Sequence, residues 1–233
     1  MTSEDIEKVT DIGTVFKGNT LIPNFDEFEK FTGVETLGSM SYETVYYSPF
    51  YQCVNLKSIK FSNNLKVIRA NAFNGCSKLN IESLPPSLIS IRNDAFIGCN
   101  LDGLVINTPL LTMLGNSSFA ETNIARVENL GSIESTGITS GNAAYNGAFR
   151  DCAKLIFARL PNTLNDTGIS LFYRCVALEE CVMPSSIKHI RACAFYGCSS
   201  LVKCNIPESL TSIDGEAFIG CTSLEIDDLS LPN

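Results

Sequence analysis

The chain has 233 residues, 45% of them apolar, and a formal charge of −8. That apolar share excludes a disordered chain, and an acidic balance without a Lys/Arg cluster excludes the basic face that a nucleic-acid partner would need. No run approaches ~18 apolar residues, so no membrane insertion is expected, and the opening MTSEDIE lacks the basic start and apolar stretch of a signal peptide.

Residues 1–44 read as an N-terminal capping segment. Up to residue 49 the chain holds nine carboxylates against three lysines, a net of −6, which suits an end that must not stack on another molecule. Within it, Asn24 precedes FDEFEKF at 25–31. Phe25 and Phe28 share a face, and Asp26 and Glu27 fall in the first turn. The pattern predicts a short helix near 25–31, N-capped by Asn24 and closed by Gly33.

From residue 45 onward the hydrophobic pattern is periodic. Phenylalanines stand at Phe50, Phe73, Phe96, Phe119, Phe149, Phe172, Phe195 and Phe218, with steps of 23, 23, 23, 30, 23, 23 and 23. A cysteine follows three residues later at Cys53, Cys76, Cys99, Cys152, Cys175, Cys198 and Cys221, and Thr122 takes its place once. A fixed period of this length defines a solenoid, in which each unit buries its apolar side against its neighbours. The fold class is an α/β repeat solenoid of 23-residue units with about eight coils, some 35 Å along the sheet direction at the usual strand spacing. Equivalent cysteines on neighbouring coils should be about 4.8 Å apart and parallel, a geometry ill-suited to the S–S dihedral. They read as reduced, buried core residues, as do Cys181 and Cys204. Cys193 aligns with Asn71, Asp94, Ser170 and Glu216, and is expected near the surface as the readily reactive thiol.

One coil can be drawn over 178–197. LEECVMP (178–184) is a short strand, with Leu178, Cys181 and Met183 inward and Glu179, Glu180 and Val182 outward, stopped by proline. SSIKHI then turns back to the core, and RACAFYGC places Ala194, Phe195 and Cys198 at helical spacing, with Gly197 opening a tight turn. One strand per coil, all in one direction, gives a single parallel β-sheet face with short helical or 3-10 turns opposite.

Between Phe119 and Phe149 lie seven extra residues, in a Gly/Ser/Thr/Asn-rich stretch at 131–147. It is read either as a tolerated surface loop or as a recognition loop with Tyr145 as an aromatic contact. The chain closes with LEIDDLSLPN (224–233), a charged last strand ended by proline, which discourages edge pairing.

The unit I-x-x-x-A-F-x-G-C-x-x-L-x-x-x-x-I-P-x-S-L-x-x-I is quoted best by residues 190–213 (IRACAFYGCSSLVKCNIPESLTSI) and nearly as well by 68–91. It resembles the BspA-like branch of the leucine-rich repeats over about residues 45–228, and the opening segment is similar to that of such proteins in gut Bacteroides. The resemblance implies a right-handed leucine-rich-repeat coil, export and cell-surface display, and adhesion or host-protein binding.

Catalytic and metal chemistry have thin support. His189 is the only histidine and has Cys193 four residues on, but no orienting third residue recurs. No CxxC, zinc-ligand spacing or phosphate loop occurs, so neither an enzyme nor a cofactor is expected. The outward strand positions remain: Lys57 and Lys60; Arg126 and Glu128; Ile156, Phe157 and Arg159; Glu179, Glu180 and Val182; Val202, Lys203 and Asn205. Repeat proteins bind through such extended, concave faces. The candidate contacts are Arg126, Tyr145, Phe157, Arg159, Glu180, Lys203 and Asn205, with Phe157 and Arg159 as the aromatic and arginine anchor. The expected role of a monomeric chain is to bind a protein or glycan. The alternative is an architectural spacer in a larger surface or fibre assembly, without a ligand of its own.

Overall fold

A computed structural model describes residues 3–38, 48–136 and 146–224. In chain order the N-terminal elements are α1 (Ser3–Glu7), β1 (Asn24–Phe25), a 3-10 helix (Asp26–Lys30) and β2 (Thr36–Leu37). Then follow β3 (Ser58–Ile59), β4 (Val67–Ile68), β5 (Ser90–Ile91), β6 (Val105–Asn107), β7 (Met113–Leu114) and β8 (Arg126–Asn129). The last five are β9 (Phe157–Arg159), β10 (Glu180–Val182), β11 (His189–Ile190), β12 (Lys203–Cys204) and β13 (Ser212–Ile213). All pairings between them are parallel. Only a coil that returns to the same side each time can pair such short strands in this way, so the expected solenoid is present.

The spacing predicts one strand per coil; the structure has two. A five-stranded sheet runs β6-β8-β9-β10-β12, and a second ladder runs β2-β4-β5-β7 and continues as β11-β13. The second ladder comes from the L-x-x-I tail of each repeat, too brief for its alternation to declare a strand. After β7, the next pairing on this side among the described residues is an Asp166–His189 bridge, beyond the insertion.

Around each phenylalanine the sequence predicts a helical or 3-10 turn. The structure has a different corner, and the backbone N–H groups explain it. Asn71, Phe73 and Gly75 donate to Asn93, Ala95 and Ile97 of the next coil, while Ala72, Asn74 and Cys76 donate back to Arg69, Asn71 and Phe73. Alternate donors leave the coil, so no helical ladder can propagate. The alternation requires left-handed backbone at Asn71 (φ 59°) and Gly75 (φ 75°), and the same two positions recur at Cys193 and Gly197. Gln52, Glu121, Asp151 and Arg174 hold the second position with φ of 57–60° although they carry side chains, each at a cost of about 1–2 kcal/mol.

The core is a stack of rings. Phe50, Phe73, Phe96 and Phe119 lie 5.1–5.2 Å apart with interplanar angles of 3–9°. Phe149, Phe172, Phe195 and Phe218 extend it. The step across the insertion, Phe119 to Phe149, is 5.7 Å, so the extra residues leave the spine continuous. Phe16 also stacks on Phe50, at 5.3 Å and 3°, and its carbonyl accepts the Cys53 thiol as Phe50 accepts that of Cys76. Gly18 donates to Tyr51 just as Gly75 does to Ile97, and β1 pairs with β3. Residues 12–25 thus form a degenerate coil, hidden in the sequence because Asn19 replaces the cysteine and the step to Phe50 is 34 residues.

At 25–31 the helix is 3-10 and starts later, at Asp26, with no side-chain cap bond. Asn24 cannot cap it because its backbone is extended in β1, paired with Ser58. Of the expected C-terminal strand, residues 225–233 lie outside the described residues, as does Tyr145 of the insertion.

Candidate functional site

The five-stranded sheet brings one residue from each coil into a single outward row: Val105, Arg126, Phe157, Glu180 and Lys203. Beneath it Ile106, Val127, Ala158, Cys181 and Cys204 face the core. A second outward position adds Arg159 beside Val182. Four of the seven expected contact residues, Arg126, Phe157, Glu180 and Lys203, therefore share one row, and Arg159 stands next to it.

Phe157 does not present an open ring. It is 8% exposed, with the Arg126 guanidinium 4.3 Å and the Arg159 guanidinium 5.6 Å from its centroid. Its place as an outward contact is thus corrected: a bare aromatic on a strand would lose its burial, and two arginines one rung and two residues away cover it. Arg126 also donates from Nε to Glu128 Oε1 at 2.5 Å. Strand alternation puts Glu128 on the same side as Arg126; it is the extra residue of a register shift between β6 and β8, which brings Asn129 opposite Asn107.

Asn205 is held by the backbone. Its Nδ2 donates to Met183 O at 2.8 Å and its Oδ1 accepts from Met183 N at 2.9 Å, so the amide extends the ladder by one side-chain pair beyond β12. Lys57 and Lys60 are exposed but flank β3, which pairs with β1 and lies outside the five-stranded sheet. Val105, 42% exposed, joins the row although the sequence reading missed it. The step from Phe96 to Leu101 is one residue short and throws the frame off there; the turn at Gly103 and the VIN triplet were the available signal.

Two shallow clefts border the row. One, about 310 Å³, lies among Arg126, Ile156, Phe157, Glu179, Glu180, Val202 and Lys203, with Ile156 39% and Val202 46% exposed on either side of Glu179. The other, about 410 Å³, lies at the strand ends between Arg159, Asn129, Asn162, Val182 and Pro184.

The remaining polar clusters serve the frame. Arg191 Nε meets Asp166 Oδ2 at 2.5 Å and its Nη1 approaches Asp214 at 3.6 Å, binding three consecutive coils on the other ladder. His189 Nδ1 contacts Ser212 Oγ at 2.9 Å, and Cys193 Sγ contacts Glu216 Oε2 at 3.6 Å. Each reaches a different neighbour on the next coil, so they do not form a nucleophile–base pair. Cys193 is only partly buried, near the surface as expected, while partial burial and the Glu216 carboxylate push its thiol up, the reverse of activation.

All ten cysteines are free. Each ladder thiol donates to the carbonyl of the preceding coil's phenylalanine, Cys99 to Phe73 at 3.1 Å and Cys175 to Phe149 at 2.9 Å among them. Thr122 instead turns to its own Phe119 carbonyl at 2.7 Å. No group of acidic, histidine or cysteine side chains fit to hold a metal occurs among the described residues. Nor among them is any helix long and apolar enough to cross a membrane.

A parallel solenoid with a phenylalanine spine, a thiol ladder and two short-strand ladders defines a repeat protein. The BspA type leucine-rich repeat region model matches residues 43–140 and 140–232, and the chain belongs to that family. Among solved structures it is similar to a leucine-rich repeat protein from Bacteroides ovatus, with 24% identity, a TM-score of 0.65, and coverage of 78% of this chain and 43% of that one. A leucine-rich repeat protein from T. pallidum gives 27% identity and a TM-score of 0.52, covering 76% of this chain and 69% of that one. The chain thus spans less than half the length of the Bacteroides ovatus protein. No curated protein matches the sequence.

Proposed function

We propose that this chain is a non-catalytic interaction module that acts at a cell surface and binds a protein or glycan through the outward face of β6, β8, β9, β10 and β12. One observation carries the reading. Arg159, Glu179, Glu180 and Lys203 stand on this face without an ion pair among the described residues, whereas Arg126, Arg150, Arg174 and Arg191 each face a carboxylate. Charges of both signs beside the exposed Ile156 and Val202 form a surface with unspent contacts, and the family's solenoid form presents it as a continuous sheet.

The test is a binding panel of purified extracellular proteins and glycans, with parent protein beside an Arg159→Glu, Lys203→Glu variant and a Lys66→Glu, Lys188→Glu control. The control substitutions sit beside the second ladder. A ligand bound by parent and control but lost by the first variant supports the reading. Equal binding by all three removes the site from this face. Silence across the panel favours a spacer role.

A further inference from the structure

Resting on that reading of the sheet face, we infer that Arg159 is a carboxylate anchor for a protein partner, and that the Glu179–Glu180 pair takes a basic side chain from the same partner segment. The Arg159 guanidinium carbon lies over the Phe157 ring, 5.6 Å from its centroid. Its N–H donors have no hydrogen-bond or ion-pair partner among the described residues, so the planar fork is unspent. Arg126, the other cation on that ring, has its Nε committed to Glu128. Arg159 offers its fork to the cleft it lines with Asn129, Asn162, Pro184 and Glu128, whose carboxylate Arg126 already holds. A fork of this kind matches a carboxylate in a bidentate pair.

Charge and shape favour a polypeptide as the source of that carboxylate. A neutral sugar gains most from an open aromatic face, and Phe157 is covered on this sheet; an acidic sugar could offer a carboxylate but no basic group for Glu179 and Glu180. The open apolar groups are the aliphatic Ile156 and Val202, which suit aliphatic side chains. Phe157 pairs with Glu180 and Arg159 with Val182, so Arg159 and Glu180 are diagonal neighbours about 7–8 Å apart. Acidic and basic side chains two residues apart on an extended segment, some 6.7 Å along the chain, span that separation.

The experiment is to pan a random-peptide display library on the parent, on Arg159→Glu and on Glu179→Lys, Glu180→Lys, with an array of neutral and acidic glycans in parallel. Parent-selected peptides should carry an acidic residue two positions from a basic one, and Arg159→Glu should replace the acid with a base. A synthetic peptide from the parent selection should bind Arg159→Gln about tenfold or more weakly, and Lys154→Gln as well as it binds the parent. Peptides that need Glu179 and Glu180 but show no acidic preference would overturn the inference and leave the face standing. Selection unchanged by every sheet-face variant would overturn both. Failure of any peptide to enrich, or glycan binding in its place, overturns the polypeptide partner.

Discussion

At the scale of single residues, the close stacking of coils sets which substitutions the chain tolerates. Gly147 has no room for a side chain: an added Cβ would sit 1.7 Å from Ser170 O. Gly98 is the contrast, with φ of +69° and nothing within 4 Å of its would-be Cβ. Gly98→Ala should therefore cost only the left-handed backbone strain, about 1 kcal/mol. Gly147→Ala must move backbone and should cost several-fold more, and urea unfolding of the two variants measures the gap. Asp166→Asn is a second residue-scale case. Asp166 is 7% exposed, and its carboxylate accepts from both Gly168 N and Arg191 Nε, so its loss should cost about 2–3 kcal/mol in the same assay.

At the scale of elements, the thiol ladder links the corners of successive coils, and its protonation is part of its bonding. Burial pushes the Cys53 thiol of this ladder up to about 11 from its ordinary 9.0, and that of Cys204, on β12 beneath the sheet face, to about 12. A thiol held protonated in the folded chain ionises first in the unfolded one. Its contribution to stability is complete below pH 9 and is lost as pH rises from there through about 11 for Cys53 and about 12 for Cys204. Denaturant midpoints measured under reducing conditions should hold from pH 7 to 9 and fall above it, and Cys53→Ala with Cys204→Ala should soften that fall. A midpoint as pH-sensitive in that double variant as in the parent would assign the fall to other groups.

The elements also show what the sequence discloses and what it does not. The period, the inward cysteines and the outward row at 126, 157, 180 and 203 are legible because 23-residue spacing repeats each position's environment. The second ladder is not, because two-residue strands carry too little alternation to register. Phe16 escapes because its coil lacks the cysteine and adds eleven residues to the step. Alternation puts Phe157 on the outward side of its strand, yet its cover by Arg126 and Arg159 depends on cross-strand distances that no single strand contains. Tyr145 and residues 225–233 lie outside the described residues.

At the scale of the whole molecule, each coil is stabilised by the two beside it, so damage should not remain local. Phe195 is fully buried between Phe172 and Phe218, and Phe195→Ala should cost about 3–5 kcal/mol. Hydrogen exchange should show protection lost in β10 to β13 before it is lost in β4 and β5. Loss spread evenly over the chain would mean that the solenoid unfolds as one unit.

Binding through the five-stranded face is tested most directly by hydrogen exchange of the protein saturated with a ligand found in the panel. Slowed exchange is expected in β8, β9, β10 and β12, centred on Arg159 and Glu180. Slowing confined to β2, β4, β5 and β7, or to the phenylalanine corners, would contradict it.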